Sequence, residues 1–144
     1  MDEIYIESLK LLKRRDYSVA QLQEKLAAKF DHVPQELIET LLSKRYLDDF
    51  RYARNYAAKR GNCHPSLVQS ELLDAGVASE VADRAIAERD WPSLREVLRA
   101  TMVDWKLQSP LHRREAAKLY RALARLGFPE EEIREELDQL HEQQ

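Results

Sequence analysis

The feature that most constrains this chain is an approximate internal repeat, because a repeat in so short a sequence decides the architecture before any single residue does. Val33-Pro34-Gln35-Glu36-Leu37-Ile38…Leu42 aligns with Phe128-Pro129-Glu130-Glu131-Glu132-Ile133…Leu137. Val77-Ala78-Ser79-Glu80-Val81-Ala82…Ile86 aligns more loosely. In each copy an apolar residue follows a turn, and a helix then opens on proline or on small or acidic residues. Proline costs little at a first helical position, where the N–H it lacks has no partner anyway. Gly76 and Gly127 stand just before the apolar residue, where a helix can end in a left-handed cap. His32 takes that place in the first copy.

Apolar spacing turns the repeat into helices. The first copy predicts helices over about 3–15, 18–30 and 34–45, the second over 48–60, 65–75 and 79–90, and the third over 93–107, 111–126 and 129–141. Ser18 has the chemistry of an N-cap, since its hydroxyl can accept from a free first-turn amide. The expected inward sets are Val19, Leu22, Leu26, Phe30, Leu37, Ile38, Leu41 and Leu42; then Tyr52, Ala53, Tyr56, Val68, Leu72, Ala82 and Ile86; then Leu94, Leu98, Trp105, Leu119, Leu123, Ile133 and Leu137. No stretch alternates with period two for long enough to predict a strand. The expectation is an all-α chain of three tandem three-helix units, 1–47, 48–90 and 91–144. A unit of about 45 residues has too small a core to be stable alone. The units should therefore stack into an elongated, curved helical array.

Composition supports this class. The chain is 44% apolar and 34% charged, with three glycines in 144 residues, which suits narrow apolar stripes under a large charged surface and argues against disorder. No apolar run approaches the roughly 18 residues of a membrane span. The start, Met1-Asp2-Glu3-Ile4, has no basic segment leading into an apolar one, so no signal peptide is expected. A single cysteine, Cys63, leaves no internal disulfide and no thiolate-cluster metal site within one chain. The expected compartment is the cytoplasm, with no membrane association.

No catalytic constellation stands out. His32, His64, His112 and His141 share no helical turn, as a zinc-binding helix would require. Cys63 beside His64 is a sequence adjacency rather than a nucleophile–base geometry. No glycine-rich phosphate loop exists. Asp48 and Asp49 are expected to cap a helix start, where acids meet free amides and the positive end of the macrodipole. Arg51, three residues on, is expected to pair with Asp48. No cofactor and no metal are expected.

Charge is unevenly spread. The net charge is −3, but 130–144 holds seven acids against one arginine, net −6. Residues 44–60 hold six basic residues against two acids, net +4, and 113–125 hold five against one, again +4. The candidate partner or DNA contacts are Lys13, Arg14 and Arg15; Arg51, Arg54, Lys59 and Arg60; and Arg113, Arg114, Lys118, Arg121 and Arg125. Positions 114, 118, 121 and 125 fall on one helical face, opposite Leu119 and Leu123. Such a stripe suits phosphate or an acidic protein. The alternative for each group is an ordinary solvated helix face.

Tyr46-Leu47-Asp48-Asp49-Phe50-Arg51-Tyr52-Ala53…Tyr56…Arg60, continued by Pro65…Glu71-Leu72…Gly76-Val77, resembles the hallmark of the RecX family, regulators of the RecA recombinase. Leu11-Leu12…Arg15-Asp16-Tyr17-Ser18…Gln21-Leu22…Lys25-Leu26 is similar to that family's first repeat, and Leu123…Gly127-Phe128…Ile133 matches more distantly. Leu47, Asp48, Asp49, Tyr52, Ala53, Pro65 and Gly76 are the hallmark positions. The resemblance covers nearly the whole chain. It implies three tandem three-helix units, no catalytic activity, and binding along the groove of the RecA–DNA filament with restraint of ATP hydrolysis and strand exchange. The expected partner is RecA, above all its filament on single-stranded DNA, with a weak direct contact to DNA and a monomeric chain. The resemblance places the chain in recombination, DNA repair and the SOS response. His64 stands where the family often has glycine, and Lys106-Leu107-Gln108-Ser109 lacks a glycine expected there. Two other classes stay open on the residues alone: a helix-turn-helix DNA reader and a helical interaction scaffold. The acids opening the third helix of each unit disfavour the DNA reader, because they would repel phosphate.

Overall fold

A helix stops where its backbone can leave the spiral without stranding carbonyls, and this chain solves that problem four times in the same way. The computed structural model describes residues 2–141. Among them are nine α-helices and no strand: α1 Asp2–Arg14, α2 Val19–Ala27, α3 Gln35–Ser43, α4 Asp49–Lys59, α5 Pro65–Asp74, α6 Ser79–Ala87, α7 Leu94–Asp104, α8 Arg113–Arg125 and α9 Glu130–His141. Helices α3, α5, α7 and α8 each end on a residue in the left-handed region: Arg45 at φ 62°, Gly76 at 87°, Lys106 at 59° and Gly127 at 93°. In each case the next N–H reaches back to a carbonyl five residues earlier: Tyr46 to Leu41, Val77 to Leu72, Leu107 to Met102 and Phe128 to Leu123. This is the Schellman arrangement, which satisfies carbonyls the helix leaves open.

The expected left-handed position at His32 is not realised. Helix α2 ends at Ala27, and the N–H groups of Lys29 and Phe30 both bond the Leu26 carbonyl. The left-handed residue of that region is Arg45, one helix later. Helix starts are capped as their sequences suggest. Ser18 caps α2 in a reciprocal box with Gln21, and Ser93 caps α7 with Glu96. His112 caps α8 with Glu115, a cap that the sequence reading did not anticipate. Pro65 takes the first helical position of α5, whereas Pro34 stands one residue earlier, as the extended N-cap of α3.

The chain divides into two compact units, 1–59 with 69–89, and 60–68 with 90–144. In the first, Ile4, Tyr17, Leu22, Leu26, Leu37, Ile38, Leu41 and Leu47 form a buried cluster. In the second, Leu94, Val97, Leu98, Leu111, Leu119, Leu123, Phe128, Ile133 and Leu137 do so. Six expected core positions fall outside the buried set: Val19, Phe30, Tyr56, Ile86 and Trp105 are half-buried and Leu42 is exposed. Leu42 is 41% exposed, because it lies about 100° of helical rotation beyond Leu41 and off the Leu37–Ile38–Leu41 face. Trp105 is half-buried: it caps the C-terminus of α7 and packs at the edge of the second cluster. No described helix is long and apolar enough to cross a membrane.

Candidate functional site

All the hallmark residues but Pro65 lie in the first unit, where Asp48, Asp49 and Gly76 build a joint. Asp48 Oδ1 accepts from the backbone N–H of Arg51 at 3.1 Å, capping α4 as expected. Asp49 does something the sequence could not show. Its Oδ1 accepts from the N–H of Val19 at 2.8 Å, so it caps α2 from 30 residues away. Burial pushes the Asp49 carboxyl above its usual range, the Val19 N–H opposes that shift, and the neighbouring Asp48 charge adds to it. Ser18, fully buried, accepts from Gln21 and donates to the carbonyl of Ala75 at the end of α5. A Cβ on Gly76 would run into the Cβ of Ala20, so glycine serves both its left-handed backbone and this close approach. Leu47, Tyr52 and Ala53 are buried around the joint. The start of α2, the start of α4 and the end of α5 thus meet in one hydrogen-bonded knot.

Arg51 belongs to this knot. The expected ion pair with Asp48 is replaced by two bonds from its guanidinium, to the carbonyls of Arg45 at 2.8 Å and Tyr46 at 3.2 Å. Asp48 Oδ1 instead accepts from the backbone N–H of Arg51, and the guanidinium satisfies carbonyls that follow the end of α3. Arg54 pairs with Glu88 at 3.2 Å, and both Arg54 and Arg84 lie over the ring of Phe50.

The remaining cations of the first unit gather elsewhere. Lys13, Arg14 and Arg15 are exposed at the end of α1 and just past it. Arg15 and the exposed Lys59 line a cleft of about 250 Å³ together with Asp16, Tyr52, Asn55 and Tyr56. Tyr52 and Tyr56 stack with ring centroids 6.1 Å apart and planes at 25°. Asn55 donates to Asp16 Oδ2 at 3.1 Å, and Arg15 lies 4.8 Å from the ring of Tyr17. Sequence reasoning found the cations of this cleft. It missed the aromatic wall, because Tyr52 and Tyr56 at i and i+4 read simply as core.

In the second unit the α8 stripe stands as its spacing predicts. Arg114, Lys118, Arg121 and Arg125 are all exposed, and so is Arg113, while Leu119 and Leu123 are buried on the opposite face. Lys118 Nζ rests 4.8 Å from the ring of Trp105. Among the described residues none of the five cations is in an ion pair. Two acids of α9 are engaged away from them: Glu136 pairs with Arg95 at 3.1 Å and Glu130 approaches Arg134 at 4.0 Å. Burial raises the Tyr120 hydroxyl above its ordinary pKa, a hydrogen bond to Glu130 and the Glu130 charge add to that shift, and Arg134 opposes it. Glu142, the last acid of the tail, lies outside the described residues. Arg60 opens the second unit and is half-buried. His64, in the place of a glycine, immediately precedes α5: its ring nitrogen accepts from the N–H of Ser66 at 3.1 Å, its own N–H reaches the Leu126 carbonyl at 2.8 Å, and its ring meets Phe128 edge-on.

Among the described residues no group of three or more His, Cys, Asp or Glu side chains could hold a metal ion. Cys63 is buried. Two surfaces stand out in this geometry: a mixed aromatic and basic cleft in one unit and, in the other, a cationic stripe without an ion pair among the described residues.

No family model matches the chain. It is 31% identical over 162 aligned positions to the regulatory protein RecX of Serratia proteamaculans, covering 92% of this chain and 95% of that protein. It is 34% identical over 124 positions to the regulatory protein RecX of Thermus thermophilus, covering 85% and 81%. The crystal structure of RecX from Lactobacillus salivarius superposes with a TM-score of 0.65 at 19% identity, covering 95% of this chain and 96% of that one, which shows a shared fold. On the two sequence relationships, and with the hallmark residues placed as described, the chain belongs to the RecX family of regulatory proteins.

Proposed function

We propose that this protein restrains the RecA recombinase by binding along the groove of the RecA–single-stranded-DNA filament, slowing ATP hydrolysis and strand exchange without chemistry of its own. One observation carries the reading. Four exposed cations recur along one face of α8 and find no carboxylate among the described residues, although the neighbouring α9 is rich in acid. Such a face lowers its free energy by meeting a polyanion or an acidic protein surface, and a nucleoprotein filament offers both. Membership of a family of regulatory proteins supports the same direction.

On this reading Arg113, Arg114, Lys118, Arg121 and Arg125 form one contact face, and Lys13, Arg14, Arg15, Lys59 and Arg60 contribute further contacts. Arg51 does not, because its guanidinium is committed to backbone carbonyls. The division into three-helix units at 1–47, 48–90 and 91–144 belongs to the same proposal. The direct test is ATP turnover by RecA on single-stranded DNA. Saturating protein should slow turnover while showing no ATPase activity of its own; unchanged turnover would refute the regulator reading.

A further inference from the structure

The cleft of the first unit has a composition that the regulator reading alone does not explain. Tyr52, 6% exposed, and the half-buried Tyr56 both line it, with their rings stacked on each other. Arg15 and Lys59 stand at the rim, exposed, and among the described residues neither is in an ion pair. The one acid of the cleft, Asp16, is engaged by the amide of Asn55. A stacked aromatic pair with two cations beside it matches a ligand that is flat and apolar in one part and anionic in another.

We infer that this cleft takes one nucleotide of a single DNA strand, with the base against Tyr56 and the flanking phosphates on Arg15 and Lys59. An acidic protein side chain would use the two cations and leave the aromatic wall idle. A duplex would keep its bases stacked on each other and offer only phosphate. An unpaired strand can place a base on the ring, and such stacking tolerates any base, because every base has a π-face. The inference deepens the filament reading by assigning the single strand to this cleft, and it rests on that reading only for the source of the strand. The α8 stripe can attract the same strand through phosphate, but it offers no stacked aromatic pair, so a dependence on bases isolates the cleft.

The test is fluorescence anisotropy of the full chain with a labelled thymidine oligonucleotide and with an abasic strand of equal length and phosphate count. The parent should bind the thymidine strand about tenfold tighter than the abasic one. Tyr56→Leu should abolish that preference, and Tyr56→Phe, which keeps the ring, should retain it. Arg15→Gln with Lys59→Gln should weaken both strands and reduce the salt slope by about 0.7 for each phosphate no longer neutralised. The inference is overturned if the parent binds the two strands equally, or if Tyr56→Leu, shown folded by its melting curve, keeps the preference. It is also overturned if these variants bind both strands as the parent does yet lose the RecA filament, which would assign the cleft to an acidic protein surface. Failure of the regulator reading is a separate result: base preference intact, with RecA turnover unchanged.

Discussion

Helix α4 with its flanks, residues 44–60, and helix α8 each carry a net charge of +4, yet they use it in opposite ways. Around α4 much of the charge is consumed inside the protein. Asp48 and Asp49 cap two different helices, Arg51 ties down the carbonyls that follow α3, and Arg54 pairs with Glu88. Along α8 the five cations, from Arg113 in the first turn to Arg125 in the last, make no ion pair among the described residues, while two of the α9 acids, Glu136 and Glu130, turn to Arg95 and Arg134. What separates the two cases is what each set of charges meets. The charges around α4 meet open backbone groups at the starts of α2 and α4 and after α3, and the carboxylate of Glu88. The α8 cations are drawn to neither and keep their charge for another molecule.

Substitutions can break that contrast, and the largest effect is expected at Asp49. Asp49→Ala strands the first amide of α2 and should lower stability by about 1–2 kcal/mol, read from urea melts. Asp49→Asn keeps an acceptor and should cost less. Its pH behaviour tests the cause. Because burial raises the folded-state pKa above the ordinary 3.8, the charged carboxylate is disfavoured in the folded protein. Its stabilising contribution is full below that ordinary value and is lost as pH rises through the raised one. The stability of the parent relative to Asp49→Asn should therefore fall across that acid-side window; a difference that rose instead would contradict the burial explanation. Arg51→Ala releases two loop carbonyls and should cost about 1 kcal/mol, with Arg51→Lys only partly restoring it, since an ammonium lacks the two-pronged geometry.

A smaller effect, of opposite sign, is expected at Lys106. Its φ of 59° is costly for a residue with a Cβ, and glycine there should raise stability by about 0.5–1 kcal/mol after its greater unfolded-state freedom is set against the relieved strain. A melt showing no gain would mean that the Lys106 side chain compensates for its backbone. The smallest effect on stability belongs to α8, where Arg114→Gln and Arg121→Gln should each change it by no more than about 0.5 kcal/mol.

Much of this fold was legible in the sequence, because apolar residues at helical spacing survive any detail of packing. Each of the nine described helices matches an expected segment, and Ser18 caps α2 as its hydroxyl suggested. The ends were less legible. Helices α3 and α7 stop two or three residues early, because Arg45 and Lys106 adopt a left-handed turn that sequence rules associate with glycine. The role of Asp49 was invisible, since the amide it caps lies 30 residues away and only folding brings the two together. Among the proposed contact residues, the α8 stripe could be read from spacing alone. The cleft was half legible: its cations stood out, but an i, i+4 tyrosine pair carries the same pattern whether it fills a core or walls a binding site.

The central claim is that the α8 face meets the RecA filament, and it is tested most directly by the affinity of the Arg114→Gln, Arg121→Gln double variant for RecA assembled on single-stranded DNA. Binding measured at low and at moderate salt, with the variant's melting curve matching the parent's, should show clear weakening and a shallower salt dependence. Affinity equal to the parent's at both salts would contradict the claim.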